Sequence, residues 1–286
     1  MRHVQHDRLS TYEGRPLARP EEEVVDQGLG FDVTTLLSRR QTLRVLGLGA
    51  AALGLAACDL GSTGGGDPSS ASARAGAIPE ETGGPFPADG SNGPDVLEQS
   101  GIVRSDIRSS LGGAGAIAEG VPMTLDLVVT DVADGGAPLT GAAVYVWHCD
   151  REGRYSLYSP GAEDRNYLRG VQIADDQGRV RFTSIFPACY PGRWPHVHFE
   201  VYADRRSIAD SSKVIALSQL ALPADVCERV YAQQGYEASV TTLSEVSLDS
   251  DIVFADDGAA RQLATVTGDV SRGYVATLAV PVDAGV

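Results

Sequence analysis

Ala143-Val144-Tyr145-Val146-Trp147-His148-Cys149 alternates with a period of two. In an extended strand, successive side chains point to opposite faces. Val144, Val146 and His148 therefore share one face, and Tyr145, Trp147 and Cys149 share the other. The same period recurs to both sides. Met123–Val129 reads as a strand closed by Asp134-Gly135-Gly136, and His196–Tyr202 as another. Val171–Ile173 and Val180–Phe182 flank Asp175-Asp176-Gln177-Gly178, which predicts a hairpin. Asp251–Phe254, Leu263–Thr267 and Tyr274–Val280 supply three more strands. The clearest helical spacing is Ala224, Cys227, Val230 and Tyr231, predicting one helix within Pro223–Gln234. Val96–Leu111 has no clear period and reads as a short helix or an extended cover. The pattern predicts an all-β fold: an Ig-like or prealbumin-like β-sandwich of about seven to eight strands, with long loops and little helix.

At 286 residues the chain suffices for one large domain or two small ones. No apolar run reaches the roughly 18 residues of a membrane-spanning helix. Asp and Glu outnumber Lys and Arg by 38 to 23, so the sequence offers no basic patch for phosphates and no nucleic-acid partner is expected. The charge is uneven: residues 1–58 balance, and the rest of the chain carries the whole net charge of -15.

That neutral leader has its own logic. Ser38-Arg39-Arg40-Gln41-Thr42-Leu43-Arg44 precedes an apolar and small-residue run, Val45 to Ala57. Such a run suits a signal-peptide core and is short for a stable span. The paired arginines resemble a twin-arginine export signal. Leu55-Ala56-Ala57-Cys58 resembles a lipoprotein cleavage box, followed by the Gly/Ser-rich tether Asp59–Gly66. The expected organisation is a signal peptide over 1–57, a flexible linker over 58–77 and a β-sandwich domain over 78–286. The protein is expected to leave by the twin-arginine route. A lipidated Cys58 would then hold it on the outer face of the cytoplasmic membrane or in the periplasm. In that oxidising setting Cys149, Cys189 and Cys227 permit one disulfide and leave one thiol over.

Beyond the leader there are three histidines, His148, His196 and His198. In Pro195-His196-Val197-His198-Phe199 the two imidazoles fall on one face of a strand, with Val197, Phe199 and Val201 on the other. Alone, the pair fits a solvated strand face as well as a metal. Tyr155 follows the strand carrying Trp147, and Tyr190 leads into the histidine strand. Each tyrosine alone fits ordinary packing. Two phenolates with two imidazoles, however, make a hard anionic set suited to Fe(III). A phenol of pKa about 10 stays ionised at neutral pH only beside a strong Lewis acid. A zinc or copper site on His148, His196 and His198 is a further option.

Three blocks resemble the intradiol ring-cleaving dioxygenases, which include catechol and protocatechuate dioxygenases. They are Glu81-Thr82-Gly83-Gly84-Pro85-Phe86, Tyr145 to Tyr155, and Tyr190 to His198, where an Arg precedes His-x-His-Phe by three residues. The resemblance implies a non-haem Fe(III) held by Tyr155, Tyr190, His196 and His198. Tyr190 would leave the iron as substrate chelates it and take a substrate proton. Arg193 would sit beside the ring carbon that gains carbanion character. Gln219 matches the family's pocket glutamine and Trp147 an aromatic wall residue; taken alone, each fits a structural role equally. The implied reaction inserts both atoms of O2 into a catecholic ring between its hydroxylated carbons, giving a muconate-type diacid. The alternative is a non-catalytic exported sandwich that binds carbohydrate or protein and keeps a vestigial metal site. Only five residues separate Tyr190 from His196, a short connection that predicts an open site.

Overall fold

The computed structural model describes residues 11–12, 15–16, 76–113, 115 and 117–285. Apart from four residues, the expected signal segment 1–57 and the linker as far as residue 75 lie outside the described residues, and so does Cys58. The chain divides into two units, Met1–Gly66 and Asp67–Val286. In the first, β1 (Thr11–Tyr12) pairs antiparallel with β2 (Arg15–Pro16). The second holds β3 (Pro122–Asp131), β4 (Ala137–Pro138), β5 (Ala143–Trp147), β6 (Arg169–Ile173), β7 (Arg179–Ile185), β8 (His196–Tyr202) and β9 (Val214–Ala221). Two helices follow, α1 (Ala224–Tyr231) and α2 (Glu237–Ser244), then β10 (Thr265–Asp269) and β11 (Gly273–Val282). Among the described residues no helix is long and apolar enough to cross a membrane.

The nine strands of the second unit form two sheets. One runs β10-β11-β3-β4, with β7 also on β3; the other runs β6-β5-β8-β9. All pairings are antiparallel except β11 with β3, which is parallel from Tyr274↔Met123 to Val282↔Asp131. Between the sheets, Leu125, Leu127, Phe182, Leu278 and Val280 pack with Val144, Val146, Val197, Phe199 and Val201. This is the sandwich core that the alternating stretches require.

The pleat sends the other half of each strand outward, and here the second sheet is covered again. Ala88, Val96, Leu97 and Ile102 pack on Tyr145, Trp147 and Tyr202. The 78–111 cover is extended rather than helical, apart from one 3-10 turn at Leu111–Gly113. Backbone bonds dock it: Glu81 N–H donates to Leu217 O at 2.8 Å, Arg104 N–H to Val171 O at 2.9 Å and Ile78 N–H to Pro281 O at 2.7 Å. As a result all seven residues of β8 are buried.

Several local readings need correcting. The Asp175–Gly178 turn forms, with Gly178 N–H donating to Asp175 O at 3.0 Å, but its flanking strands part company. β6 joins β5 and β7 joins β3, so the turn carries the chain between sheets. Gly178 sits at φ +73° against β3, where a Cβ would meet Val129 O. Val129 N–H in turn donates to Gly178 O at 2.8 Å, which captures the outgoing strand on the first sheet. Asp251–Phe254 is a turn rather than a strand. β9 was hidden because its buried Ser218 and Gln219 interrupt the apolar run. α2 was hidden because the residues it buries, Ser239 and Thr242, are polar. Cys149, Cys189 and Cys227 are buried free thiols, so the permitted disulfide is not formed.

Phe199 is wholly buried between the sheets. Phe199→Ala should cost about 3–5 kcal/mol, seen as a lower urea midpoint with an unchanged slope. A midpoint matching wild type would contradict its place in the core.

Candidate metal centre

The pleat of β8 fixes half of the site. His196 and His198 project from the outer face of the second sheet, away from Val197 and Phe199. In the ladder His198 lies between Trp147 on β5 and Gln219 on β9. Residues opposite one another share a face, so three of the residues singled out in the sequence stand in one row. Trp147 stacks on His198 with centroids 4.9 Å apart and planes 3° apart, and Tyr145 stacks on Trp147 at 5.0 Å. Trp147 thus braces the imidazole from a fully buried position.

Loops deliver the other half. Beyond β5 the chain turns around Asp150, whose Oδ1 accepts from the N–H groups of Glu152 and Arg154 at 2.9 and 3.0 Å. Its Oδ2 accepts from Tyr167 OH at 2.9 Å and from Arg154 Nε at 3.0 Å. Tyr155 follows, its N–H donating to Ser159 Oγ at 2.9 Å and its ring 4.9 Å from Phe86 of the cover. At Gly153, φ is +85° and a Cβ would stand 3.4 Å from Tyr190 Cβ, so the two tyrosine loops meet closely there. Tyr190 comes from the connection between β7 and β8.

Four polar atoms converge. Tyr155 OH is 3.2 Å from Tyr190 OH and 3.4 Å from His196 Nε2. Tyr190 OH and His198 Nε2 each lie 3.1 Å from His196 Nε2. His196 Nδ1–H donates to Trp194 O at 2.5 Å, which leaves Nε2 as the lone-pair nitrogen. Burial, helped by the Arg193 charge, lowers His196 to about 3. Burial, with His196 next, holds His198 well below its usual value. Burial also raises both phenols, Tyr155 with Tyr190 reinforcing and Tyr190 with Arg193 opposing. Burial thus favours neutral imidazoles and protonated phenols, and a bound cation would reverse the second preference.

The donor set fits one. Ligand atoms roughly 2.0–2.1 Å from an ion and 90–110° apart lie roughly 2.9–3.4 Å from one another, the range observed here. His198 Nδ1 has no hydrogen-bond partner among the described residues. Two phenol oxygens with two imidazoles suit a hard, highly charged metal. His148 is not part of this cluster. Its ring lies between Cys149 O and Ser184 Oγ, each at 2.7 Å, so a site on His148, His196 and His198 is not assembled. Among the described residues no group of three His, Cys, Asp or Glu is placed to hold a metal.

Arg193 is buried at the edge of this cluster. Nε–H donates to Asp251 Oδ2 at 3.0 Å and Nη2–H to Gln219 Oε1 at 2.7 Å. Gln219 Nε2–H donates to Thr82 O of the cover at 2.8 Å. Burial opposes the guanidinium charge, but Tyr190 and Asp251 outweigh it and raise the Arg193 pKa. The sequence reading missed Asp251, which it placed in a strand. The available signal was an Asp followed closely by amides it could cap.

A family profile described as Dioxygenase matches residues 92–207. Chlorocatechol 1,2-dioxygenase of Rhodococcus opacus is 42% identical over 55 residues, 19% of this chain and 21% of that protein. The protocatechuate 3,4-dioxygenase beta chain of Burkholderia cepacia is 33% identical over 102 residues, 31% of this chain and 43% of that one. The chain thus spans less than half the length of these curated relatives. In fold, an intradiol ring-cleavage dioxygenase from Tetranychus urticae aligns with a TM-score of 0.56 at 21% identity, covering 72% of this chain and 94% of that one.

Burial, opposed by the Cys149 carbonyl, lowers His148 to about 4, against about 6.5 in an unfolded chain. The unfolded state therefore binds more protons between these values. This contribution to stability is complete above about pH 6.5 and is lost as pH falls towards 4. Thermal melting across that window should show the loss, and His148→Gln should flatten it. An unchanged slope in the variant would assign the loss to other groups.

Proposed function

We propose that this chain, which resembles the intradiol ring-cleavage dioxygenases over residues 92–207, cleaves a catecholic ring between the two hydroxylated carbons, using O2 and a non-haem Fe(III). The observation that carries this reading is the convergence of Tyr155, Tyr190, His196 and His198: Tyr155 OH, Tyr190 OH and His198 Nε2 each lie 3.1–3.4 Å from His196 Nε2, and the two hydroxyls are 3.2 Å apart. These four residues would hold the iron. Ferric iron bound there would supply the Lewis acidity that keeps phenols ionised and draws electron density from a chelated diol.

The chain's own groups account for the remaining work. Tyr190 is the only half-buried member of the four; Tyr155, His196 and His198 are buried. It is therefore the phenol oxygen best placed to move and to take a hydroxyl proton from the incoming diol. Arg193 presents a buried cation beside it, opposing the negative charge that builds on the ring. Gln219 holds Nη2 of that cation and ties it to the Thr82 carbonyl. Trp147 keeps the His198 ring in plane through stacking. The product is a muconate-type diacid carrying both oxygen atoms.

The leader supports a location outside the cytoplasm for this chemistry. Arg39-Arg40, the Val45–Ala57 run and Cys58 support export by the twin-arginine route and anchoring through a lipidated cysteine. That route carries folded proteins, so iron would be loaded before export.

The full chain expressed in iron-replete medium should be reddish from tyrosinate-to-iron charge transfer, shift its band with catechol and consume oxygen. A colourless, iron-free protein would overturn the reading. Tyr155→Phe should lose much of the band and retain iron poorly; unchanged colour would exclude Tyr155 as a ligand. Arg193→Ala should keep iron and colour while turnover falls roughly 10²–10³-fold. Unaltered turnover would remove Arg193 from the mechanism.

A further inference from the structure

The segment between α2 and β10 belongs to neither sheet, yet it supplies a carboxylate to the site. Asp251 is 0% exposed and four N–H donors saturate it. Oδ1 accepts from the backbone of Val253 at 2.8 Å and Phe254 at 3.0 Å. Oδ2 accepts from the Trp194 backbone at 2.6 Å and from Arg193 Nε at 3.0 Å. The turn that presents it is itself fixed. Val253, Phe254 and Ala259 pack with Trp194 and Ala221, and Ala221 N–H donates to Gln262 O at 2.9 Å. Asp251 is therefore a rigid post.

Gln219 fixes a second atom of the guanidinium, Nη2. A planar group tied at Nε and Nη2 has its orientation set. Of the three guanidinium nitrogens, Nη1 takes part in neither of these bonds.

We propose that Asp251 is a positioning residue for ring cleavage, acting through Arg193 to hold Nη1 towards the substrate ring as negative charge develops there. The proposal rests on the dioxygenase reading of the site and adds to it a residue from a segment outside the sandwich.

The test is a double-mutant cycle on the full chain, with visible absorption and turnover of catechol measured together. Asp251→Asn keeps the volume and removes the charge. It should retain iron, the charge-transfer band and the catechol-induced shift. Its kcat should fall about 10–100-fold with KM within about threefold, as when an interaction made in the transition state is lost. In an Arg193→Ala background the same change should slow turnover by no more than about threefold, because the residue it acts through is gone. Losses that multiply, loss of the band in Asp251→Asn, or wild-type kcat would each overturn the proposal. If Asp251→Asn does not fold, Asp251→Glu, which shifts the carboxylate while keeping its charge, carries the same expectations. A wild-type protein without band or oxygen uptake would sink the dioxygenase reading and this proposal together. Wild-type turnover with multiplying losses would sink the proposal alone.

Discussion

A strand buried on both faces has nowhere to put a polar side chain except against another polar side chain, and β8 carries four on its outer face. His196, His198, Glu200 and Tyr202 are each at most 2% exposed. Buried polar groups are costly unless they are satisfied, so this face dictates what surrounds it. At one end Tyr202 OH donates to Glu200 Oε2 at 2.8 Å, and burial with Asp89 nearby raises Glu200 to about 8. At the other end the imidazoles meet two phenols brought from separate loops. The first half of the row is satisfied within the protein. The second half is an assembly of donors that a metal would complete.

Two buried carboxylates organise the loops that complete the site. Asp150 gathers backbone amides and so sets the turn before Tyr155. Asp251 does the same for its own turn while gripping Arg193. A third clamp is cationic. Arg169 is 1% exposed and donates to Pro87 O, Tyr145 OH and both oxygens of Ser156. It therefore joins the cover segment to the residue after Tyr155. None of these groups belongs to the cluster, yet each fixes a segment or side chain at its edge.

The sandwich and the paired imidazoles of the cluster were legible in sequence because both rest on a period of two; Tyr155 and Tyr190 come from loops that this period does not describe. That period in β5 and β8 separates Val144, Val146, Val197 and Phe199 from Trp147, His196 and His198, and the ladder register bears this division out. What could not be read depends on contacts distant in sequence. The turn at Asp175–Gly178 looks like a hairpin until β3 competes for the outgoing strand. β9 and α2 bury Ser218, Gln219, Ser239 and Thr242, whose polarity disguises their inward direction. Asp251 takes part only because its segment folds back 57 residues onto Trp194, a separation that no local pattern encodes.

The three unpaired cysteines bear on how the protein would withstand oxidants. Burial pushes the Cys189 thiol up to about 12 and also raises Cys149 and Cys227 well above the usual thiol range. The thiolate is the reactive form, so in the native state these sulfurs are chemically silent although none is covalently protected. They become vulnerable only when the sandwich opens. Global unfolding would expose all three nucleophiles at once, whereas local opening would free them separately, since Cys149 belongs to one core cluster and Cys189 and Cys227 to another.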